Sequence, residues 1–113
     1  MSFLDFFKSV DINKEVNRCR TTKGAILLDV RSEDEYRGGH ISGSRNIPVE
    51  KIDNAVNLLH DKSAPLFVYC QSGVRSRTAV SKLRKMGYTE VYNIGGIEQF
   101  QGQLQRGKRC SGL

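Results

Sequence analysis

The sequence predicts a single α/β domain in which a central, mainly parallel sheet of four or five strands carries helices on both faces. Three observations lead there. The chain of 113 residues has the size of one ordinary domain and is too short to split into two cores. Its apolar residues come in dense runs without alternation at 25–30 and 66–69, and a third run at 90–94 is rich in Val, Tyr and Ile. Such runs read as strands buried on both faces, and the helical patterns between them are those of parallel βαβ units. The hydrophobic share of 38% is low, but it omits 11 glycines, and a disordered chain would lack the runs.

The elements follow in order. Ser9, Val10 and Asp11 read as a short first strand, with Asp11 or Ser9 capping a helix over 12–20. The strand 25–30 leads to Ser32-Glu33-Asp34-Glu35, a capping box in which hydroxyl and carboxylate satisfy the first amides of a short helix that Gly38-Gly39 stops. Ser44 to Ile47 form a short strand before Pro48. A helix starting at Val49 or Glu50 and ending at His60 places Ile52, Val56 and Leu59 on one stripe. After strand 66–69 and Cys70, a helix runs to Met86 with Ala79, Val80, Leu83 and Met86 inward, Lys82, Arg84 and Lys85 outward, and Gly87 as its stop. No repeat or linker interrupts the pattern, so residues 1–102 read as one domain. Residues 103–113, with Arg106, Lys108 and Arg109, read as a mobile basic tail.

Composition narrows the function. No apolar stretch reaches the roughly 20 residues that cross a bilayer. The start Phe3-Leu4-Asp5-Phe6-Phe7 lacks a basic lead and a small-residue cleavage site, so the expectation is a cytoplasmic protein without membrane contact. The 18 basic against 12 acidic residues leave +6, which favours anionic partners. The basic stretches show neither aromatic interleaving nor a nucleic-acid motif, so a solvated helix face accounts for them and no nucleic-acid partner is expected. Cys19, Cys70 and Cys110 are odd in number and widely spaced, which excludes a fully paired framework and a zinc half-site.

The chemistry is carried by Cys70-Gln71-Ser72-Gly73-Val74-Arg75-Ser76. A cysteine ends a buried strand and a helix begins about five residues later, which is where open α/β sheets place their sites. In such a turn the amides of Gln71 to Ser76 converge, the helix adds partial positive charge and Arg75 adds a full one. That field favours the thiolate and makes Cys70 a nucleophile candidate. Gly73 permits the tight turn, and Ser76 caps the helix or donates to an oxyanion. A cysteine alone would fit a buried strand end equally well, but the surrounding Gly, Arg and Ser favour the site.

This loop resembles the active-site loop of the rhodanese sulfurtransferases. Leu27-Leu28-Asp29-Val30-Arg31, Glu35-Tyr36, Gly39-His40-Ile41, Gly43-Ser44 and Asn46-Ile47-Pro48 are similar to that family's upstream signature. Gly87-Tyr88, Val91-Tyr92 and Ile94-Gly95-Gly96-Ile97 resemble its downstream one, so the likeness covers roughly residues 10 to 100 in the right order. Phe100 stands where a Trp is common, and a basic, Cys-containing tail replaces the usual ending. The resemblance implies that Cys70 takes the outer sulfur of a donor such as thiosulfate, carries it as a persulfide and passes it to a thiol or cyanide. The loop from Gln71 to Ser76 would hold the anionic donor, and no metal or organic cofactor is called for. The implied partners are a small anionic donor, a thiol or cyanide acceptor and a possible protein acceptor, with the chain acting as a monomer.

Asp29, Arg31 and Glu35 read as a structural ion-pair and capping network rather than a catalytic set. His40 reads as a packed loop residue without metal partners and His60 as a helix end. Cys19 is a spare thiol by a helix. Cys110 lies in the tail, where it is either a disordered end or a thiol that forms a resolving disulfide with Cys70 or accepts its persulfide. Two other functions compete. A phosphatase or arsenate reductase would need a longer loop, since four residues separate Cys70 from Arg75 where related phosphatases resemble Cys-x5-Arg after a His, and this chain has Tyr69. A non-catalytic or carrier rhodanese-like module would dock a protein partner, and such modules often lack the cysteine retained here.

Overall fold

The computed structural model describes residues 10–107. Helix α1 (Ile12–Thr21) is capped by Asp11, whose carboxylate accepts from the Asn13 amide at 3.0 Å. Val10 and Asp11 form no strand, contrary to expectation, because the cap uses Asp11 as the helix entry; Ser9 lies outside the described residues. Strand β1 (Ile26–Asp29) runs into α2 (Glu33–Gly38), where the expected capping box is complete: Ser32 Oγ accepts from the Glu35 amide and Glu35 Oε1 from the Ser32 amide. Strands β2 (His40–Ile41) and β3 (Arg45–Asn46) precede a helix over Val49–Asn57, then β4 (Leu66–Cys70), α3 (Val74–Lys85), β5 (Val91–Gly96), a short helix Ile97–Gln99 and β6 (Leu104–Gln105).

The central sheet has the order β3-β1-β4-β5, and every neighbouring pair is parallel. Helices cover both faces, as predicted. Ile12, Val16 and Cys19 of α1 pack on Leu27, Phe67, Tyr69 and Ile94. On the other face Ala79, Val80 and Leu83 of α3 join Ile52, Ala55 and Leu59 over Leu28, Val68 and Val91. The β4–β5 register slips between Val68 and Tyr69, so that Val68 opposes Asn93 but Tyr69 opposes Gly95 and Cys70 opposes Gly96. Gly95, at φ +103°, sits in this irregularity. Bulges of this kind re-aim the chain at sheet ends next to sites.

Two expectations are corrected. Val49–Asn57 is a 3₁₀ helix, not an α-helix. Three residues per turn superpose Ile52 and Ala55, both fully buried, and turn Val56 out to 38% exposure. The tail expected from Gln103 begins ordered: Leu104–Gln105 pairs antiparallel with His40–Ile41, and the Gly107 amide donates to the Arg37 carbonyl. Residues 108–113, with Cys110, lie outside the described residues. No helix among the described residues is long and apolar enough to cross a membrane.

Candidate active site

Cys70 ends β4, paired with Gly96 of β5 one residue beyond the last pair with β1, and only 1% of it is exposed. The next three residues turn the chain, Gly73 caps α3 at φ +103°, and the helix starts at Val74. That left-handed conformation is costly for any residue with a Cβ. It also places the Gly73 amide 2.9 Å from Cys70 Sγ, as donor. Among the predicted loop residues, Gln71, Ser72 and Val74 are exposed, Gly73 and Arg75 half-buried and Ser76 buried. Of the predicted set, the Gly73 amide and the Ser76 hydroxyl meet the Cys70 sulfur at the N-terminus of a twelve-residue helix, while the Gln71 and Arg75 side chains are engaged by Arg31 and Glu35.

Ser76 differs from expectation. It is not the helix cap, because Gly73 already holds that position and Ser76 sits within the first turn, facing inward. Its hydroxyl accepts from Cys70 Sγ at 3.4 Å and donates to Asn93 Oδ1 at 2.8 Å. Arg75 also has a partner that spacing did not show. Its Nη1 and Nη2 donate to Glu35 Oε1 and Oε2 at 2.7 and 3.0 Å. The Arg75 hydrogen bonds, with help from the Ser32 capping groups and against partial burial, hold the Glu35 carboxyl down at about 2. Glu35 in turn raises Arg75 further above its ordinary value.

Around the loop the expected structural network is present. Asp29 and Arg31 are buried and share an ion pair of 2.7 Å, with Arg31 Nη2 also donating to the Gly39 carbonyl at 2.6 Å. Arg31 Nη1 reaches Gln71 Oε1 at 3.5 Å, a contact from this network to the loop beside that of Glu35 with Arg75. Tyr69 is fully buried, and burial raises its phenol; the hydroxyl donates to Ser44 Oγ and accepts from the Ile41 amide. His40 is buried, stacked on Tyr36 with ring centroids 3.7 Å apart, and its Nδ1 lies 2.8 Å from the Tyr36 carbonyl. Cys19 sits under α1, where burial, against the pull of Arg20 and Arg18, pushes its thiol up to about 11. No metal-ligand cluster occurs among the described residues.

Two residues that spacing does not reveal complete the site. Asn93 accepts from the Ser76 hydroxyl and the Gly95 amide through Oδ1 and donates to the Gly73 carbonyl through Nδ2 at 3.2 Å. Gly96 lets the loop approach β5, since a Cβ there would lie 2.3 Å from the Gln71 carbonyl oxygen and 2.7 Å from Ser72 Cα. The adjacent glycines were the available cue: paired glycines inside a strand mark close backbone approach.

Comparison with known proteins agrees with this architecture. A protein from Bacillus subtilis designated uncharacterized YqhL is 42% identical over 85 residues, covering 74% of this chain and 67% of its own. A putative mitochondrial thiosulfate sulfurtransferase from Schizosaccharomyces pombe is 38% identical, covering 85% and 74%. A solved rhodanese with anions from E. coli has a TM-score of 0.68 at 32% identity, covering 74% of this chain and 99% of its own. Further relatives are named thiosulfate sulfurtransferase (PspE, GlpE), tRNA uridine(34) hydroxylase and putative sulfur carrier protein. The model of the rhodanese-like domain matches residues 12–103, and the chain belongs to that family.

Proposed function

We propose that the protein is a sulfurtransferase that moves a sulfane sulfur from thiosulfate, or a related anionic donor, to a thiol or cyanide through a persulfide on Cys70. The observation that carries this reading is the Cys70 sulfur itself, held at a strand end by the Gly73 amide at 2.9 Å and facing the start of α3. Relatives named thiosulfate sulfurtransferase support the donor class.

In the first step the thiolate attacks the outer sulfur of thiosulfate. A Cys70 S–S bond forms, the S–S bond of the donor breaks, and sulfite leaves with the bonding pair. The helix N-terminus and the Gly73 amide stabilise the anionic persulfide that remains. In the second step cyanide attacks the terminal sulfur, thiocyanate departs and the thiolate is restored; a thiol acceptor does the same as a persulfide of its own. Gln71 and Ser72 are exposed, and in this reading they meet the donor's oxygens. A phosphatase reading would need a longer loop than the four residues that separate Cys70 from Arg75.

Intact mass decides the matter. Thiosulfate should add one sulfur atom to the purified chain, and cyanide should remove it with release of thiocyanate. A chain whose mass does not change under saturating thiosulfate is not this enzyme.

A further inference from the structure

We propose that Asn93, on the strand beside the catalytic one, is a positioning residue that sets both hydrogen-bond donors offered to the Cys70 sulfur. The proposal rests on the reading of Cys70 as the nucleophile and adds how its charged form is held.

In the resting thiol the proton chain runs one way. Cys70 Sγ donates to Ser76 Oγ at 3.4 Å, and the Ser76 hydroxyl donates to Asn93 Oδ1 at 2.8 Å. Once Cys70 loses its proton, the sulfur only accepts, and the buried Ser76 hydroxyl is the side-chain donor beside it. That hydroxyl can turn its single proton to sulfur only by releasing Asn93. Release is cheap, because Oδ1 keeps the Gly95 amide at 3.0 Å and is not left unpaired in a buried place. The amide side chain therefore stores the Ser76 proton while the cysteine is neutral and yields it when the cysteine ionises.

The same side chain governs the second donor. Asn93 Nδ2 donates to the Gly73 carbonyl at 3.2 Å, which also accepts from the Arg77 amide at 3.3 Å at the start of α3. Gly73 is the left-handed residue whose own amide reaches Sγ at 2.9 Å. Anchoring its carbonyl fixes the rotation of that residue and so the aim of its N–H. One group on β5 thus couples the two donors at the sulfur.

The test follows Cys70 alone, by peptide mass spectrometry of iodoacetamide alkylation over a range of pH, in the full chain and in Asn93→Asp, Asn93→Ala and Ser76→Ala. Asn93→Asp keeps Oδ1 but turns the donor facing Gly73 into an acceptor. Asn93→Asp, whose carboxylate holds the Ser76 proton more strongly and no longer donates to Gly73, should react about tenfold more slowly at neutral pH, with its profile displaced upward. Asn93→Ala loses the Gly73 anchor but frees the Ser76 hydroxyl, so its displacement should be smaller. Ser76→Ala should move it the same way, and Ser76→Ala with Asn93→Asp should fall short of the product of the two effects. A folded Asn93→Asp chain with the wild-type profile would overturn the proposal, even if its melting temperature fell. So would independent, multiplying effects. Alkylation needs no sulfur donor, so a chain that refuses thiosulfate but shows these displacements would refute sulfur transfer and leave the role of Asn93 standing.

Discussion

Arg75 and Glu35 meet in a two-point ion pair, with Nη1 2.7 Å from Oε1 and Nη2 3.0 Å from Oε2, and so bind the first turn of α3 to the capping box of α2. One end of the pair belongs to the loop after Cys70 and the other to the first turn of α2, so the Arg75 charge is held in place from outside the loop. Arg75→Ala removes that charge and leaves a carboxylate beside the loop. Donor use should weaken by about 1.5 to 3 kcal/mol, the range for a charge-assisted hydrogen bond. Glu35→Gln should leave it equal or better. Steady-state constants with thiosulfate test both, and unchanged constants in Arg75→Ala would take Arg75 out of donor binding.

The same pair makes stability depend on acid. Glu35 is held at about 2 in the folded chain, below an unfolded value of about 4.3. The unfolded chain therefore binds the proton more readily, and the stabilisation is complete above the unfolded value and lost as pH falls toward the folded one. Both side chains are more than a third exposed, so solvent screening keeps the contribution within about 1 kcal/mol. Urea midpoints of the wild type and Glu35→Gln should differ at neutral pH and converge on acidification. A gap that widens in acid would contradict the pairing.

Gly96 opposes Cys70 across the β4–β5 register. A methyl group there meets backbone atoms, the Gln71 carbonyl oxygen at 2.3 Å and Ser72 Cα at 2.7 Å, and backbone cannot rotate aside as a side chain can. Gly96→Ala should cost about 1 to 3 kcal/mol by overpacking and lower sulfur uptake by disturbing the turn. Gly43→Ala is the control, since its Cβ would find open space and only the left-handed φ of +88° resists it. Equal activity in the two variants would mean that the loop does not depend on its approach to β5.

Asp29 and Arg31 are buried at 0% and 4% exposure. Removing one member of a buried pair leaves a charge without compensation, which costs about 3 to 5 kcal/mol. Asp29→Leu should lower the melting temperature far more than Asp34→Ala, whose carboxylate is 90% exposed. Similar small losses in both would show that the buried pair contributes little to the fold.

Much of this was legible in the sequence where the determinant is local. Asp11, Ser32 and Glu35 cap helices within a few residues of themselves, and unbroken apolar runs such as Leu66 to Tyr69 can satisfy both faces only inside a parallel sheet. The cysteine loop followed because strand end and helix start are contiguous. What escaped is non-local or depends on helix pitch. Glu35 and Arg75 lie 40 positions apart, and either one alone looks like a solvated charge. Asn93 interrupts an apolar strand and reveals its purpose only when the register brings it beside Ser76 and Gly73. Val56 fits an α-helical stripe with Ile52, and only the tighter 3₁₀ pitch turns Ala55 inward instead. Leu104 and Gln105 look like the start of a basic tail until His40 and Ile41 supply the partner strand.

Cys70 should be the only cysteine that sulfur transfer requires. It alone of the described cysteines combines a strand end, an amide donor at 2.9 Å and a helix N-terminus. Cys19 is buried under α1, and burial raises its thiol to about 11, so at neutral pH it is almost entirely protonated and a poor nucleophile. Cys70→Ser should abolish the sulfur added by thiosulfate, because a serine hydroxyl is scarcely ionised and attacks sulfur poorly. Cys19→Ser and Cys110→Ser should acquire it as the wild type does. The cyanide step separates the remaining roles: a Cys110→Ser chain that takes up sulfur but cannot release it would make Cys110 an acceptor, while equal release confines the cycle to Cys70. If Cys70→Ser kept the added mass and Cys110→Ser lost it, the nucleophile would lie beyond the described residues, and the loop between β4 and α3 would have to serve another purpose.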